Sequence, residues 1–495
     1  MESEQSSESK DKSRILAAKS DSEQYSPGIS SKDSEPNSET NIDSSPTSSK
    51  LLWRIFWKES KYELFVIYTI NILVSLNYYI LITLIPIYFT KENATDSEVG
   101  IIFGAVGILI GIFAIILGPF INSIGCKRAL IISTAFSLIG FTLLWFTRNI
   151  VINLLGVGLF LTIGLSMSWP VVELGSKIYT KPIVWNLSNS IIMIGNFFSG
   201  IIAGTSIDYI WSNYNEDIAY QLIYGTAVMS SFFALIASIL IRTSAKSAEY
   251  NESEEILITK NMLKTRKFWR FVVLILLLIF MRSGCFGHLD ATFPKYLLRR
   301  VGQKVHFGAY LALHSTTMLI GTIIFTPISY ICSSYLLIAF GGLLGSFAPF
   351  FLVIGSNTWN CVLFVIIISL GESLWSPRLL DYTLKIASPG EEGTYLALCN
   401  CPFYFCMILT GSLSGTLLET FCPENNTSQC NDIWFVIGAF GIFIPIILLI
   451  FRFSLEQPES MPSQCTLEND NVNILQIQRS EESKTVSPEK IENSK

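Results

Sequence analysis

The sequence predicts an all-α membrane protein in which twelve transmembrane helices form two six-helix bundles. Its composition is the first observation behind this prediction. The 495-residue chain is 50% hydrophobic and only 15% charged, with a mean hydropathy of +0.47. Soluble proteins carry about 25% charged residues, so this chain has too little charge to cover a surface that faces water. The composition therefore excludes a water-soluble enzyme.

Two polar tails flank the apolar body. Residues 1–50 contain 16 serines and neither Trp nor Phe, so they cannot bury enough apolar surface to offset the loss of chain entropy. The net charge of −5 comes from the tails, because bases outnumber acids in residues 51–454. We expect residues 1–50 and 454–495 to be disordered tails.

Long apolar runs are the second observation. A helix needs roughly 20 residues to cross about 30 Å of hydrocarbon, whereas the strands of a β-barrel would appear as short segments of alternating polarity. The sequence contains twelve runs of the helical kind. These segments lie at 64–88, 98–121, 128–146, 150–173, 186–208, 218–241, 269–293, 307–331, 335–354, 358–384, 394–418 and 432–452.

Positive charges predict how the segments are oriented. Lys and Arg accumulate in the connections that face the cytoplasm when the N-terminus is cytoplasmic, above all between segments 6 and 7. We therefore predict cytoplasmic termini, a first bundle at 51–241, a basic cytoplasmic linker at 242–268 and a second bundle at 269–453. The membrane itself is either the plasma membrane or that of an organelle.

Two loops on the opposite side agree with this orientation. Glycosylation sequons begin at Asn93 and Asn425, and both fall on predicted outer loops. Cys422 and Cys430 flank the second sequon, where an oxidising lumen would allow a disulfide. We predict glycans on the two asparagines and a bond between the two cysteines.

An internal repeat is the third observation. The motif Pro-x-Tyr occurs at 86–88, near the end of segment 1, and at 294–296, after segment 7. Gly-x3-Gly pairs, which permit close helix approach, occur in segments 5 and 11. Segment 4 carries Trp169, Glu173 and Lys177 in the order in which segment 10 carries Trp375, Asp381 and Lys385. The halves are two copies of a six-helix unit.

This organisation resembles the major facilitator superfamily over roughly residues 60–453, because that family joins two six-helix units by a cytoplasmic link. The loop between segments 2 and 3 is similar to the family's G-x3-D-x2-G-R-K motif through Gly118, Gly125 and Lys127. Asn122 replaces the acid and Cys126 the first base. The resemblance implies a transporter in which segments 1, 4, 7 and 10 line a central cavity.

Segment 1 is also similar to the proton-coupled oligopeptide transporters. Its Asn-Tyr-Tyr at 77–79 matches the end of their E-x-x-E-R-F-x-Y-Y motif, and Gly371-Glu372 of segment 10 looks like the same branch. Val, Ser and Leu at 74–76 replace the second Glu, the Arg and the Phe of the motif. The resemblance therefore does not carry proton coupling over to this chain.

Arg282 and Glu372 are the main candidates for a solute site. A charged side chain at mid-membrane costs about 2.5–3.5 kcal/mol on insertion scales, so it needs a partner or a purpose. Helix rise places both residues near the middle of their segments. In the functional interpretation, the two residues bind a charged or zwitterionic solute, or form an ion pair that breaks during transport. In the structural interpretation, they form a permanent ion pair that fixes the packing of the helices.

Other polar and aromatic residues also have two interpretations. Arg378 contacts the solute or pairs with Asp381, three residues further along the helix. His288 and Asp290, near the outer mouth, relay protons or form a solvated helix end. Trp169 and Trp375 line the floor of the cavity or serve in packing, and the remaining candidates for the solute site are Asn77 and Tyr78.

An inner gate is predicted at the cytoplasmic ends of segments 4 and 10. Residues four apart on a helix are neighbours, and both copies of the repeat carry an acid and a lysine at this spacing. We interpret these pairs as gating or structural, with the basic end of the loop between segments 2 and 3 beside them. The predicted gate residues are Glu173, Lys177, Asp381, Lys385, Lys127 and Arg128.

The sequence thus predicts a secondary transporter that moves a small polar or charged solute by alternating access. It contains no G-x4-G-K-[ST] loop, so a gradient of solute, proton or another ion would drive it. We expect no cofactor, metal, catalytic site or nucleic-acid partner, and a monomer in the bilayer.

The alternatives are a transporter-like solute sensor and a membrane-embedded transferase. A transferase would need a nucleophile with a base, or a metal cluster, at one membrane face.

Overall fold

The computed structural model describes residues 54–457, apart from 55, 59, 92–93, 148, 181–183, 243–262, 301, 303–305, 327, 329–331, 388–391 and 426. Residues 1–50, most of the predicted C-terminal tail, most of the predicted linker and Asn93 lie outside the described residues. The first residues of the predicted C-terminal tail are structured instead: a short helix spans Arg452–Leu455, and the Gln457 backbone N–H donates a hydrogen bond to the Tyr382 hydroxyl over 3.0 Å. Every regular element within the described residues is a helix. Twelve helices are long and apolar enough to cross a membrane, which confirms the predicted fold class.

The twelve helices are labelled α1 to α12 in chain order. Each overlaps the predicted segment of the same number, and the differences are confined to the ends. The helices are α1 Tyr62–Lys91, α2 Asp96–Ile124, α3 Cys126–Phe146, α4 Ile150–Tyr179, α5 Trp185–Asn213, α6 Glu216–Leu240, α7 Arg266–Ala291, α8 Phe307–Phe325, α9 Ser334–Ile354, α10 Thr358–Ile386, α11 Glu392–Phe421 and α12 Asp432–Ile450.

Two of these helices contain a π-helical turn. The turn is Gly156–Leu161 in α4 and Arg282–Phe286 in α7. Such turns insert an extra residue and are frequent at functional sites. In α7 the turn begins at Arg282, one of the predicted solute residues. A further short helix, Phe293–Arg300, follows α7 and is called the outer helix.

Glycines bring the two bundles into close contact. A Cβ atom on Gly100 of α2 would lie 2.1 Å from the carbonyl oxygen of Gly411 in α11, and one on Gly204 of α5 would lie 2.5 Å from the carbonyl oxygen of Gly308 in α8. Larger side chains at these positions would force the helices apart, so small residues allow α2 to pack on α11 and α5 on α8.

The ends of the bundle are named after the predicted orientation. The outer side is the end that carries the loop between α11 and α12, with Cys422 and Cys430, and the inner side is the end that carries Lys127. The four contacting helices α2, α5, α8 and α11 meet through glycines that lie in their outer halves. The first and second bundles are therefore tightly joined on the outer side.

Candidate functional site

Arg282 and Glu372 form an ion pair inside the second bundle. Arg282 Nη1 of α7 donates a hydrogen bond to Glu372 Oε1 of α10. The two side chains are only 12% and 9% exposed. Because the pair is buried in a membrane-spanning region, each charge compensates the other, and either one alone would be costly. The two main candidates from the sequence are thus in direct contact.

Aromatic rings of the second bundle surround this pair. The Arg282 guanidinium lies 4.9 Å from the centre of the Phe403 ring in α11, a cation–π contact. Trp375 stacks on Phe403 at 5.7 Å and also contacts Phe286 at 5.7 Å. Trp375 is fully buried, so it supports the ring beneath Arg282 and belongs to the packing of the site.

Tyr78 and Trp169 lie in a second aromatic group, which joins the two bundles. Their rings are 4.8 Å apart, between α1 and α4. Trp169 in turn stacks at 6.1 Å on Tyr404 of α11. This group brings two predicted solute residues together with a residue of the opposite bundle. Rings of this kind offer flat apolar surface to a solute.

Asn77 and Arg378 are placed in helix packing. Asn77 is buried and donates to Ser231 Oγ of α6 over 2.8 Å. Arg378 is 4% exposed and donates to Asp381 Oδ2 over 2.5 Å, and to Thr326 of α8 over 3.3 Å. Arg378 therefore forms the pair with Asp381 on its own helix, which the sequence offered as the alternative to contact with the solute.

His288 and Asp290 have different environments. His288 is only 1% exposed, and its Nδ1 lies 2.7 Å from Thr292 Oγ1, so it is a buried packing residue and does not form a solvated helix end. Asp290 is half-buried and lines a cavity between α1, α7 and α8. Its carboxylate makes no hydrogen bond or ion pair with any residue that the structure describes.

His314 of α8 is a site residue that sequence reasoning missed. It lines the same cavity as Asp290, and its Nδ1 lies 2.8 Å from Ser369 Oγ of α10. Its electrostatic interactions reach both Glu372 and Arg282. A lone histidine in an apolar segment gives no pattern that separates a site residue from a packing residue, and only the neighbours from α7 and α10 reveal its place.

The predicted gate residues lie at the inner ends of α3, α4 and α10. Glu173 and Lys177 are exposed on α4 and interact electrostatically. Lys385 of α10 donates to Ser334 Oγ of α9 over 3.1 Å. Lys127 is half-buried and Arg128 exposed, both in the first turn of α3. The contacts named here join residues within one bundle.

A buried ionic cluster on the outer side joins the two bundles, and the sequence did not predict it. Asp96, at the start of α2, accepts hydrogen bonds from Lys295 over 2.8 Å and from Arg299 over 2.9 Å, both of the outer helix. All three side chains are at most 10% exposed. Burial lowers the pKa of Lys295, and Asp96 opposes this effect, so the lysine depends on its partner. We call these three residues the outer latch.

Two further contacts reinforce the latch. Glu419 of α11 accepts hydrogen bonds from the backbone N–H and the hydroxyl of Ser97 in α2, over 2.9 and 2.7 Å. His306 Nδ1, just before α8, lies 3.1 Å from Asp208 Oδ2 of α5. Each contact connects the first bundle to the second at the outer side.

The loop between α11 and α12 holds the outer helix from the other face. Cys422 and Cys430 form a disulfide, and Asn425 between them is exposed. Arg299 Nη1 donates to the Cys422 carbonyl oxygen over 2.8 Å. The same arginine thus contacts the first bundle and the disulfide loop. No cluster of metal-ligating side chains is found among the described residues.

The chain belongs to the Major Facilitator Superfamily, whose sequence profile matches residues 67–411. It is therefore a multi-pass membrane transporter and not an enzyme. No curated protein matches the chain.

Solved structures share the fold at low sequence identity. A POT family transporter in complex with 5-aminolevulinic acid has a TM-score of 0.67 and 13% identity, covering 81% of this chain and 99% of that chain. A peptide transporter POT in complex with sulfate has a TM-score of 0.64 and 14% identity, covering 82% and 98%. A D-xylose-proton symporter has a TM-score of 0.66 and 12% identity, covering 78% and 96%. At such identities the likeness establishes the fold.

Proposed function

We propose that the protein is a secondary transporter that moves a small polar or charged solute by alternating access around the Arg282–Glu372 pair. The observation that carries the proposal is this buried ion pair between α7 and α10; Tyr78 of the first bundle interacts electrostatically with its Arg282. A solute that bears a charge would compete for one partner and change the contacts between the bundles.

The outer latch supports alternating access. Its ion pairs connect α2 to the outer helix, a contact that a conformation closed on the outer side would need. When the bundles rock apart, Asp96 and its partners would separate into water, where their charges are solvated. Binding energy of the solute at the central pair would then select which side opens.

The solute-site proposal is tested by transport in proteoliposomes that contain the purified full-length protein. A screen of radiolabelled amino acids, peptides and sugars first identifies a solute that accumulates. Arg282→Ala and Glu372→Ala are then expected to reduce its uptake at least about a hundredfold, since each leaves the other charge buried and unpaired. Asp432→Asn, which removes an exposed carboxylate on α12, serves as the control. Wild-type rates in both alanine variants would refute the site assignment.

We further propose that both termini are cytoplasmic, with bundles at 51–241 and 269–453 and a cytoplasmic linker at 242–268. The exposed Asn425 on the side opposite Lys127 supports this arrangement. The test is glycosidase treatment of the protein from its native membrane. A mobility shift that Asn425→Gln removes supports the orientation, whereas antibody access to the N-terminal tail from outside intact cells contradicts it.

A further inference from the structure

The charges near the central cavity do not balance. Arg282 pairs with Glu372 within the second bundle. Asp290, about two helical turns further along α7, makes no hydrogen bond or close ion pair with any described residue, and the more distant charges of Arg282 and Glu372 act on it in opposite directions. Asp290 lies one residue before the outer end of α7 and is half-buried, and a carboxylate removed from water is costly unless a positive charge or a proton compensates it. A cationic ligand would therefore compensate the negative charge of Asp290.

The walls around Asp290 suit an organic cation. The cavity is lined by side chains of α1, α7, α8 and the outer helix. They include the rings of Phe293, Phe307 and Tyr310 and the imidazole of His314. Aromatic faces attract ammonium groups. A metal cation would need a shell of oxygen ligands, and Thr83, Asp290 and Tyr310 are the only lining side chains that carry oxygen.

His314 offers a hydrogen-bond acceptor beside this carboxylate. The Ser369 hydroxyl donates its only hydrogen to the Val365 carbonyl oxygen over 2.5 Å. It must therefore accept from His314 Nδ1, which lies 2.8 Å away, so Nδ1 carries a hydrogen. In the neutral ring this leaves Nε2 unprotonated. A primary ammonium group could then donate one N–H to Asp290 and another to Nε2, whereas a quaternary ammonium group has no N–H to donate.

We propose that the Asp290–His314 cavity binds the primary ammonium group of the transported solute. This inference rests on the proposed transport function and narrows it: the solute is an organic amine whose cationic end occupies this cavity. The Arg282–Glu372 pair lies about two helical turns deeper along α7; it would contact the remainder of the solute and take part in the conformational change.

The test is a binding measurement on the detergent-purified full-length protein, with three probes of one shape: benzylammonium, benzyltrimethylammonium and uncharged benzyl alcohol. Calorimetry and the shift of the thermal midpoint report binding. Benzylammonium is expected to bind at least about tenfold more tightly than either other probe. Asp290→Asn should weaken it at least tenfold, Asp290→Glu should keep it within a few-fold, and Asp432→Asn should leave it unchanged.

A second variant tests His314 separately. His314→Asn keeps a donor toward Ser369 but removes the Nε2 acceptor, so it should abolish the preference for benzylammonium over benzyltrimethylammonium while both still bind. Equal binding of benzylammonium and benzyl alcohol to the wild type would overturn the proposal. A second result would also overturn the proposal. If the wild-type protein binds no ammonium probe, and Asp290→Asn changes only the pH dependence of the thermal midpoint, then Asp290 is a proton site. These outcomes leave the transport assay untouched, and absence of flux in that assay would instead refute the proposed function.

Discussion

The polar contacts at the two ends of the helix bundle differ in which helices they connect. On the outer side, Asp96 of the first bundle is bound by Lys295 and Arg299 of the second, in an environment almost closed to water. On the inner side, Arg378 binds Asp381 within one helix, and the Asp381 side chain is 42% exposed. The polar contacts named at the outer end thus tie the two bundles to each other, whereas those named at the inner end lie within the second bundle.

In the proposed alternating access, this difference separates the contacts that would break from those that would persist. A rocking motion leaves intrahelical pairs intact, because their partners move together. It separates Asp96 from its partners, and it separates the glycine contacts of α2 and α11. The outer contacts are therefore specific to the outward-closed state, and removing them should shift the equilibrium between states without unfolding either bundle.

Asp96→Asn should give the largest shift. Breaking a buried ion pair by removing one partner costs about 3–5 kcal/mol, and here only the closed state carries the cost, since water solvates Lys295 and Arg299 once the bundles part. The measurement uses a reporter cysteine, Thr83→Cys, in the cavity. An impermeant thiol reagent added from the outer side should label this cysteine at least about tenfold faster in the Asp96→Asn protein than in the protein that keeps Asp96. An unchanged labelling rate would mean that the outer latch does not stabilise the conformation closed on the outer side. Asp432→Asn is the matched control.

Gly100→Ala should have a smaller effect of the same sign. The new Cβ atom would meet the Gly411 carbonyl oxygen at 2.1 Å, and overpacking of this kind costs about 1–3 kcal/mol. Gly158→Ala is the control, because the nearest atom to its Cβ, in Leu109, lies 4.0 Å away. Thiol labelling at Thr83→Cys should rise for the first variant and stay constant for the second; equal labelling in both would show that the α2–α11 contact does not define the state.

Asp208→Asn should give the smallest shift. Its partner His306 is 64% exposed and is charged only when protonated, and even between two full charges an exposed ion pair contributes roughly 0.2–1 kcal/mol. Outer labelling should increase by no more than about fivefold, and 1 M salt should remove the difference, because salt screens exposed charges. An effect as large as that of Asp96→Asn would contradict the assignment of the buried latch as the dominant contact.

The fold was predictable because it depends on local properties of the sequence. Spans of α1 and α10 follow from apolar length alone, and the repeat of motifs predicts two units of six. Helix ends were less predictable: α7 has a π-turn at Arg282–Phe286 and is followed by a separate outer helix, because the geometry there depends on packing against neighbouring helices rather than on hydropathy.

The candidate site was predictable only in part, for a physical reason. Arg282 and Glu372 stand out because intramembrane charges are rare and costly. Asp96, Lys295 and Arg299 look like ordinary charged helix ends in the sequence, since their purpose depends on a contact between residues far apart in the chain. His288 and His314 show the same limit: both are histidines in apolar surroundings, and only the fold places one against Thr292 and the other in the cavity with Asp290.

The most direct test of alternating access controlled by the outer latch is a pair of distance measurements between spin labels. One pair of labels, at Tyr214→Cys and Asn425→Cys, reports the outer side, and a second pair, at Arg128→Cys and Phe453→Cys, reports the inner side. Both are placed on full-length protein in which the exposed Cys332 and the tail Cys465 are serine. In the wild-type background we expect one short outer distance. Asp96→Asn should add a longer outer distance together with a shorter inner one. A change on both sides in the same direction, or on neither side, would contradict the account.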